Sequence, residues 1–202
     1  MLADLGPMEG VSDAGMGTCR LCRGALAARK LPRYLEPPLG IGGVILEDAV
    51  IESYCATCGE RAEITIPDLA GLIAAVAVVR CTLPLKLNGE EIRFMRRALG
   101  WAAKEMAEKL NVRAETASRW EREEDPIGPG YEKVLRIAVC SKLRKDAPRT
   151  RCSVDDILAL DLRGVRPPDQ ELEMVFRLVP DARAKKAQPP APGKTWEARR
   201  AA

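Results

Sequence analysis

Residues Asn88 to Pro129 read NGEEIRFMRRALGWAAKEMAEKLNVRAETASRWEREEDPIGP, and this stretch predicts a helix-turn-helix of the DNA-binding kind. Asn88 followed three residues on by Glu91 is a capping box: a side-chain acceptor and a reciprocal carboxylate for free helix amides. Ile92, Met95 and Leu99 then recur at helical spacing, leaving Arg93, Arg96 and Arg97 for solvent. A second helix carries Ala103, Met106, Ala107 and Leu110 on one face, with Ala107 small enough for a close helix crossing. The turn is Leu110-Asn111-Val112, where Asn111 suits a left-handed backbone and Val112 plugs the turn into the core. A third helix from about Arg113 to Arg122 buries Ala117 and Trp120 and turns Glu115, Thr116, Ser118, Arg119 and Arg122 outward. A short helix, a tight turn and a polar, Arg-bearing helix are what the major groove accepts.

The run EMAEKLNVRAETASRWE resembles the helix-turn-helix of the Cro/repressor (XRE) class. The preceding LNGEEIRFMRRALGW and the following PIGPGYEKVLRIAV are similar to the YgiT/MqsA-type antitoxins and their regulator relatives. The resemblance covers about residues 16–146. It implies a zinc module ahead of the helix-turn-helix, a cognate toxin bound by that module, and repression of the protein's own operon.

The N-terminal half carries the required cysteines. Cys19-Arg-Leu-Cys22 and Cys55-Ala-Thr-Cys58-Gly59 are two CxxC pairs separated by 32 residues, the spacing of a four-thiolate metal site. Each pair predicts a knuckle whose amides point at the sulfurs, with Gly59 easing the second. Structural zinc is the expected ion, and iron in a rubredoxin-like site shares the spacing. A redox CxxC would precede a helix in a βαβ unit, a context neither pair has. Cys81, Cys140 and Cys152 stand at no ligand spacing and read as small buried apolar residues. Structural disulfides are not expected without an export signal.

Between the pairs lie Tyr34, LGIGG and VILEDAVIESY, read as one or two strands, with a further strand over Ala62 to Ile66. So small a module would take much of its folding free energy from the metal. Pro67-Asp68 opens an apolar helix, LAGLIAAVAVV, read as the joint to the helix-turn-helix; a dimer surface is the other reading. Pro126 to Gly130 turns the chain, after which Tyr131, Val134, Leu135 and Ala138 fall on one face of a closing helix through about Leu143. Ser153, with Asp156 three on, caps a short helix, and Gln170 to Val179 reads as another. From Ala182 the chain is rich in Pro, Ala and Lys/Arg and is expected to be disordered.

The expected fold class is therefore α+β: a small β-rich four-Cys zinc module, then an all-α helix-turn-helix bundle and a partly disordered tail. The expected segments are a flexible lead-in (1–17), the zinc module (18–67), a linker helix (68–83), the helix-turn-helix domain (84–146), a short helical extension (147–180) and the tail (181–202).

Composition bounds the function. The 202 residues contain 47% hydrophobic and 30% charged residues and no His, which removes the commonest general base and every His-bearing metal site. Net charge is −3 over residues 1–83, +3 over 84–146 and +3 over 147–202, a basic back half suited to phosphates. The most apolar run, Leu69 to Val79, is short of the ~20 residues a spanning helix needs, and no secretory signal is visible, so a cytoplasmic, membrane-free protein is expected. With no phosphate-binding glycine loop and no open metal position, an enzyme is not expected.

The expected site residues follow. Cys19, Cys22, Cys55 and Cys58 hold the metal. Arg119 reads bases, as its fork matches guanine O6 and N7 and as the family's Ser-Arg-aromatic-Glu run implies. Thr116 and Ser118 touch base or phosphate, and Lys104, Arg113 and Arg122 contact phosphates. Ala102-Ala103, where the class has Ser or Thr and then Gln, and Glu115, where a neutral reader is common, depart from the family pattern; Glu115 can accept from cytosine N4. Glu121 is read as a helix carboxylate able to pair with a nearby cation. The leading expectation is a homodimeric, zinc-containing repressor of double-stranded DNA, either antitoxin-like or a stand-alone regulator. The alternative is a protein-interaction adaptor whose helix-turn-helix has lost specific DNA binding.

Overall fold

The computed structural model describes residues 17–162, 164, 172–180 and 193–201. Five strands come first: β1 (Leu26–Lys30), β2 (Arg33–Leu35), β3 (Val44–Glu47), β4 (Ile51–Cys55) and β5 (Arg61–Thr65). Six helices follow: α1 (Leu69–Thr82), α2 (Gly89–Ala98), α3 (Ala103–Lys109), α4 (Ala114–Glu121), α5 (Pro129–Leu143) and α6 (Val154–Ala159). Two more strands, β6 (Met174–Pro180) and β7 (Lys194–Ala201), close the described chain.

The strands form two sheets. One is three-stranded and antiparallel, in the order β1-β4-β5; the other is four-stranded, in the order β2-β3-β6-β7. In the second, β3 and β6 are parallel, with Leu46 opposite Phe176, and β6 and β7 are antiparallel, with Leu178 opposite Trp196. This corrects the expected architecture. The helices do not form an all-α bundle after a separate β module; they are interposed between strands of one mixed sheet. Within the expected helix over Gln170 to Val179, the chain from Met174 onward is strand β6, and the part of the expected disordered tail that is described forms strand β7. Residues 1–16 of the expected lead-in, 163 and 165–171 of the expected extension, and 181–192 and 202 of the tail lie outside the described residues.

The physical reason is α1. Asp68 caps it by accepting from the Gly71 amide at 3.0 Å. The helix then offers Leu72, Ala74, Ala75, Val76, Ala77, Val78, Val79 and Cys81, all buried. A helix apolar on every side needs cover on every side, and α1 packs against α2, α5, α6 and β7. Met174 and Phe176 of β6 and Trp196 of β7 are buried in the same core, and the Trp196 indole N–H donates to the Asp68 carbonyl at 3.0 Å. The predicted joint helix is the centre of the molecule.

Two buried ion pairs fix the chain where it leaves α1. Arg80 donates to both Glu91 carboxylate oxygens, at 2.6 and 2.8 Å, and to the carbonyls of Leu85 and Lys86. Arg136 donates to Glu132 Oε1 at 2.7 Å and to the carbonyls of Cys81, Leu83 and Leu85. Glu132 Oε1 also accepts from the Leu87 amide at 3.0 Å. Burial lowers the Arg136 pKa, the Glu132 charge beside it acting the other way. The inward face of α5 is thus Glu132, Leu135, Arg136, Val139, Cys140 and Leu143. Tyr131 and Val134, expected inside, are 43% and 48% exposed.

A second correction concerns the cysteines expected to be unpaired. Cys140 of α5 and Cys152, just before α6, form a disulfide with their Cα atoms 6.0 Å apart. Cys81 stays a free, buried thiol, which burial pushes up to about 12, and its sulfur lies 3.9 Å from Met95 Sδ. Ser153 caps α6 by accepting from the Asp156 amide, as its spacing predicts.

Candidate metal centre and helix-turn-helix

The two CxxC segments fold alike. Cys19 N–H donates to Gly24 O and Arg23 N–H to Cys19 O; Cys55 N–H donates to Glu60 O and Gly59 N–H to Cys55 O. The residue closing each loop has positive φ, 61° at Arg23 and 74° at Gly59. Amides aim at the sulfurs as expected: Leu21 N–H at Cys19 Sγ, Gly24 N–H at Cys22 Sγ, and Thr57 and Cys58 N–H at Cys55 Sγ, all at 3.4–3.5 Å. Gly24 is a requirement that the spacing rule does not announce. A Cβ there would stand 2.4 Å from Thr57 Oγ1 and 3.1 Å from Cys55 Sγ, so the knuckles could not close on each other.

The pairing of β1 with β4, with Leu26 opposite Cys55, brings the knuckles together. All four sulfurs lie within 4.8 Å of one another, and Cys19, Cys22, Cys55 and Cys58 can hold a metal ion. Three separations are 3.4, 3.5 and 3.8 Å. Cys19 and Cys55 are buried, Cys22 and Cys58 exposed. Beneath the knuckles, Glu52 is 2% exposed and takes Arg29 from β1 and Arg61 from β5, at 2.6 and 2.5 Å. Burial raises the Glu52 pKa, and the two guanidiniums outweigh it and hold the carboxyl below its usual range.

Four thiols this close cannot all ionise without a cation. The Cys58 amide, opposed by burial and assisted by the Thr57 amide, brings Cys55 down to about 6. Cys58 goes the other way: the Glu60 amide lowers it, but the neighbouring sulfurs Cys22 and Cys55 drive it up to about 12. Cys22 is also raised, against the pull of the Gly24 amide, with Cys55 as the leading opposing cause. A divalent cation at the centre would reverse both upward shifts.

The second candidate site is α3, the turn over 110–113 and α4. Asn111 has φ 52°, the left-handed conformation expected of it. Its amide donates to Glu108 O and the Val112 amide to Ala107 O. Met106, Ala107, Ala117 and Trp120 are buried, and the Trp120 ring lies 5.3 Å from Tyr131. Neither Ala102 nor Arg113 makes a side-chain cap. Glu121 pairs with a cation, Arg96, through both oxygens at 2.5 and 3.1 Å, and Arg93 donates to its carbonyl. Arg96, expected in solvent, is therefore 12% exposed and serves to fix α4 against α2. Gly89 permits the same approach, since a Cβ there would meet Glu121 O at 2.7 Å.

The expected contact residues divide. Arg113 and Glu115 are exposed, and Thr116 and Ser118 half-buried. Lys104 is exposed at the start of α3, with Glu108 at 3.8 Å. Arg119 pairs with Asp125 at 3.2 Å and Glu124 at 3.8 Å, and Arg122 with Glu124 at 2.9 Å. The acidic run after α4 thus gathers both cations of its last turn, while Glu123 accepts from the Gly89 amide.

No helix of the described residues is long and apolar enough to cross a membrane. Comparison with known families, with curated proteins and with solved structures finds nothing that matches this chain.

Proposed function

We propose that the protein is a sequence-specific DNA-binding repressor carrying a structural zinc ion. The observation that carries this reading is the α3-turn-α4 unit. Helix α4, bearing exposed Glu115 and Arg119 and preceded by exposed Arg113, follows a left-handed Asn111 turn and is braced from behind by Arg96 and Arg93. Rigid support of a short polar helix is what major-groove reading needs. Arg119 is the base reader, worth about 1–3 kcal/mol of discrimination; Lys104, Arg113 and Arg122 meet phosphates, and Thr116, Ser118 and Glu115 refine the readout. One recognition helix covers one half-site, so the DNA-bound form is a homodimer.

Zinc fits the cysteine cluster. Four thiolates about 2.3 Å from a tetrahedral ion stand about 3.8 Å apart, close to the observed separations. All four positions are filled by protein, so the ion supplies folding energy and no open site for chemistry. The resemblance to YgiT/MqsA-type antitoxins further suggests an autoregulator whose metal module meets a toxin.

A second reading, the adaptor without specific DNA binding, is favoured by one observation: Glu124 and Asp125 already occupy Arg119 and Arg122. Exposed pairs of this kind are worth at most about 1 kcal/mol, less than a phosphate or guanine contact returns, so we place it second. The test is binding of the purified protein to DNA from upstream of its own gene across a salt series, beside Arg119→Ala. Saturable, salt-sensitive preference over scrambled DNA, lost in the variant, is expected. Equal, unspecific binding by both proteins would move the assignment to the adaptor.

A further inference from the structure

The first turn of α1, the last turn of α2, the segment after α5 and the start of β7 line a half-open surface pocket of about 560 Å³, a size typical of small-molecule sites. Three cations from three different elements line it: Arg97, Lys145 and Lys194. None has an ion-pair or hydrogen-bond partner among the described residues. Other described cations, Arg33, Lys86 and Arg144 among them, also lack a side-chain partner; these three differ in lining one pocket together.

Thr195, on the same wall, is only 6% exposed, and its hydroxyl has no hydrogen-bond partner among the described residues. The oxygen itself is not sealed from solvent, so it is open to the pocket and free to donate to a ligand there. The end nearest α1 is lined by Ala70 and Gly71, where the helix dipole is positive. Two carboxylates complete the lining. Asp68 is committed to its cap on Gly71, while the Asp146 carboxylate has no partner among the described residues.

Three unpaired cations and a free hydroxyl suit a compact dianion. A free carboxylate beside them suits hydroxyl groups that donate to it. We propose that this pocket binds a small phosphate ester of a polyhydroxylated metabolite. Arg97, Lys145 and Lys194 surround the phosphate, Thr195 donates to it, and Asp146 accepts from the ligand's hydroxyls. The assignment uses no residue of the helix-turn-helix face or of the cysteine cluster, so it stands or falls separately from the DNA-binding reading.

Calorimetric titration of the full chain with ribose 5-phosphate, inorganic phosphate and ribose tests it. Saturable binding of ribose 5-phosphate, weaker binding of inorganic phosphate and none of ribose are expected. Thr195→Val, nearly isosteric, and Lys145→Gln, at an exposed position, should each weaken ribose 5-phosphate about tenfold or more. Asp146→Asn should affect ribose 5-phosphate but not inorganic phosphate. Absence of saturable binding by the native protein, or equal affinities in Lys145→Gln and Thr195→Val, would overturn the proposal. So would a Lys145→Gln variant that loses DNA affinity while the native chain takes up no phosphate probe, since the cations would then belong to the nucleic-acid backbone.

Discussion

Replacing Arg136 with Met tests the idea that a buried ion pair decides where the helix-turn-helix begins. Arg136 is completely buried, and its guanidinium is shared between Glu132 and the carbonyls of Cys81, Leu83 and Leu85. It thereby caps the C-terminal end of α1 and holds the linker that ends at Asn88. Removing one partner of a buried pair costs about 3–5 kcal/mol, because the other charge is stranded. Here the stranded group is Glu132, which already has one oxygen, Oε2, without a partner. Against a typical stability of about 5–15 kcal/mol, the variant should lose a large part of its margin in urea denaturation followed by circular dichroism. Adding Glu132→Gln removes the stranded charge while keeping an acceptor for the Leu87 amide, and should recover about 1 kcal/mol or more. As a control, Arg177→Met breaks the partly exposed pair with Glu197 and should cost about 1 kcal/mol at most. If Arg136→Met costs no more than the control, or if Glu132→Gln deepens the loss, the account of the network is wrong.

The metal site makes a prediction with a definite sign. The raised thiols of Cys22 and Cys58 must lose protons on binding, so zinc uptake should release protons and weaken as pH falls; a proton count by calorimetry in two buffers checks it, and pH-independent affinity would refute it. Asn111→Ala places a Cβ-bearing residue without a polar side chain at φ 52° and should destabilise by about 1 kcal/mol, while Asn111→Gly should be nearly neutral. Equal urea midpoints for the two variants would remove the turn argument. The Cys140–Cys152 bond closes a loop of sequence separation 12, for which chain entropy gives about 3 kcal/mol. A reductant should lower the melting temperature of the native chain and leave Cys152→Ser unmoved.

What the sequence discloses here is whatever is decided within about five residues. The capping box at Asn88 and Glu91, the left-handed Asn111, the Ser153 cap and the two cysteine knuckles are all local, and all appear as their spacing predicts. The inward face of α5 escaped because Glu132 and Arg136, four apart, look like a solvated surface pair. The structure buries them because each neutralises the other and the guanidinium meets open carbonyls. Arg80, the single charge after an apolar run, was a signal of the same kind. Strands β6 and β7 escaped for a different reason. Met174, Val175 and Phe176 form too short an apolar run to separate strand from helix, and their pairing with β3 spans about 130 residues of chain, as Val44 opposite Met174 shows. The Ala- and Arg-rich composition of β7 points to disorder; backbone pairing to β6 and burial of Trp196 override it.

The same register explains how the two sheets share one chain. Strands β1 and β2 run in succession along one side, and β4 and β3 along the other, so the pairs Leu26 with Cys55 and Leu35 with Ile45 lie on one antiparallel ribbon. Leu31 N–H donates to Val50 O and Asp48 N–H to Pro32 O at the point where the ribbon passes from one sheet to the other. At one end β3 is buried along Val44, Ile45 and Leu46; at the other, β1 and β5 are largely open to solvent. Apolar burial therefore holds the core end with or without metal, whereas the outer end has the cysteine cluster and the Glu52 pairs in place of a core. Chelation should accordingly loosen the three-stranded sheet, seen as rapid amide exchange in β5, while the amides of α1 remain protected. Uniform loss of protection across both would mean that the ribbon transmits the metal's contribution into the core.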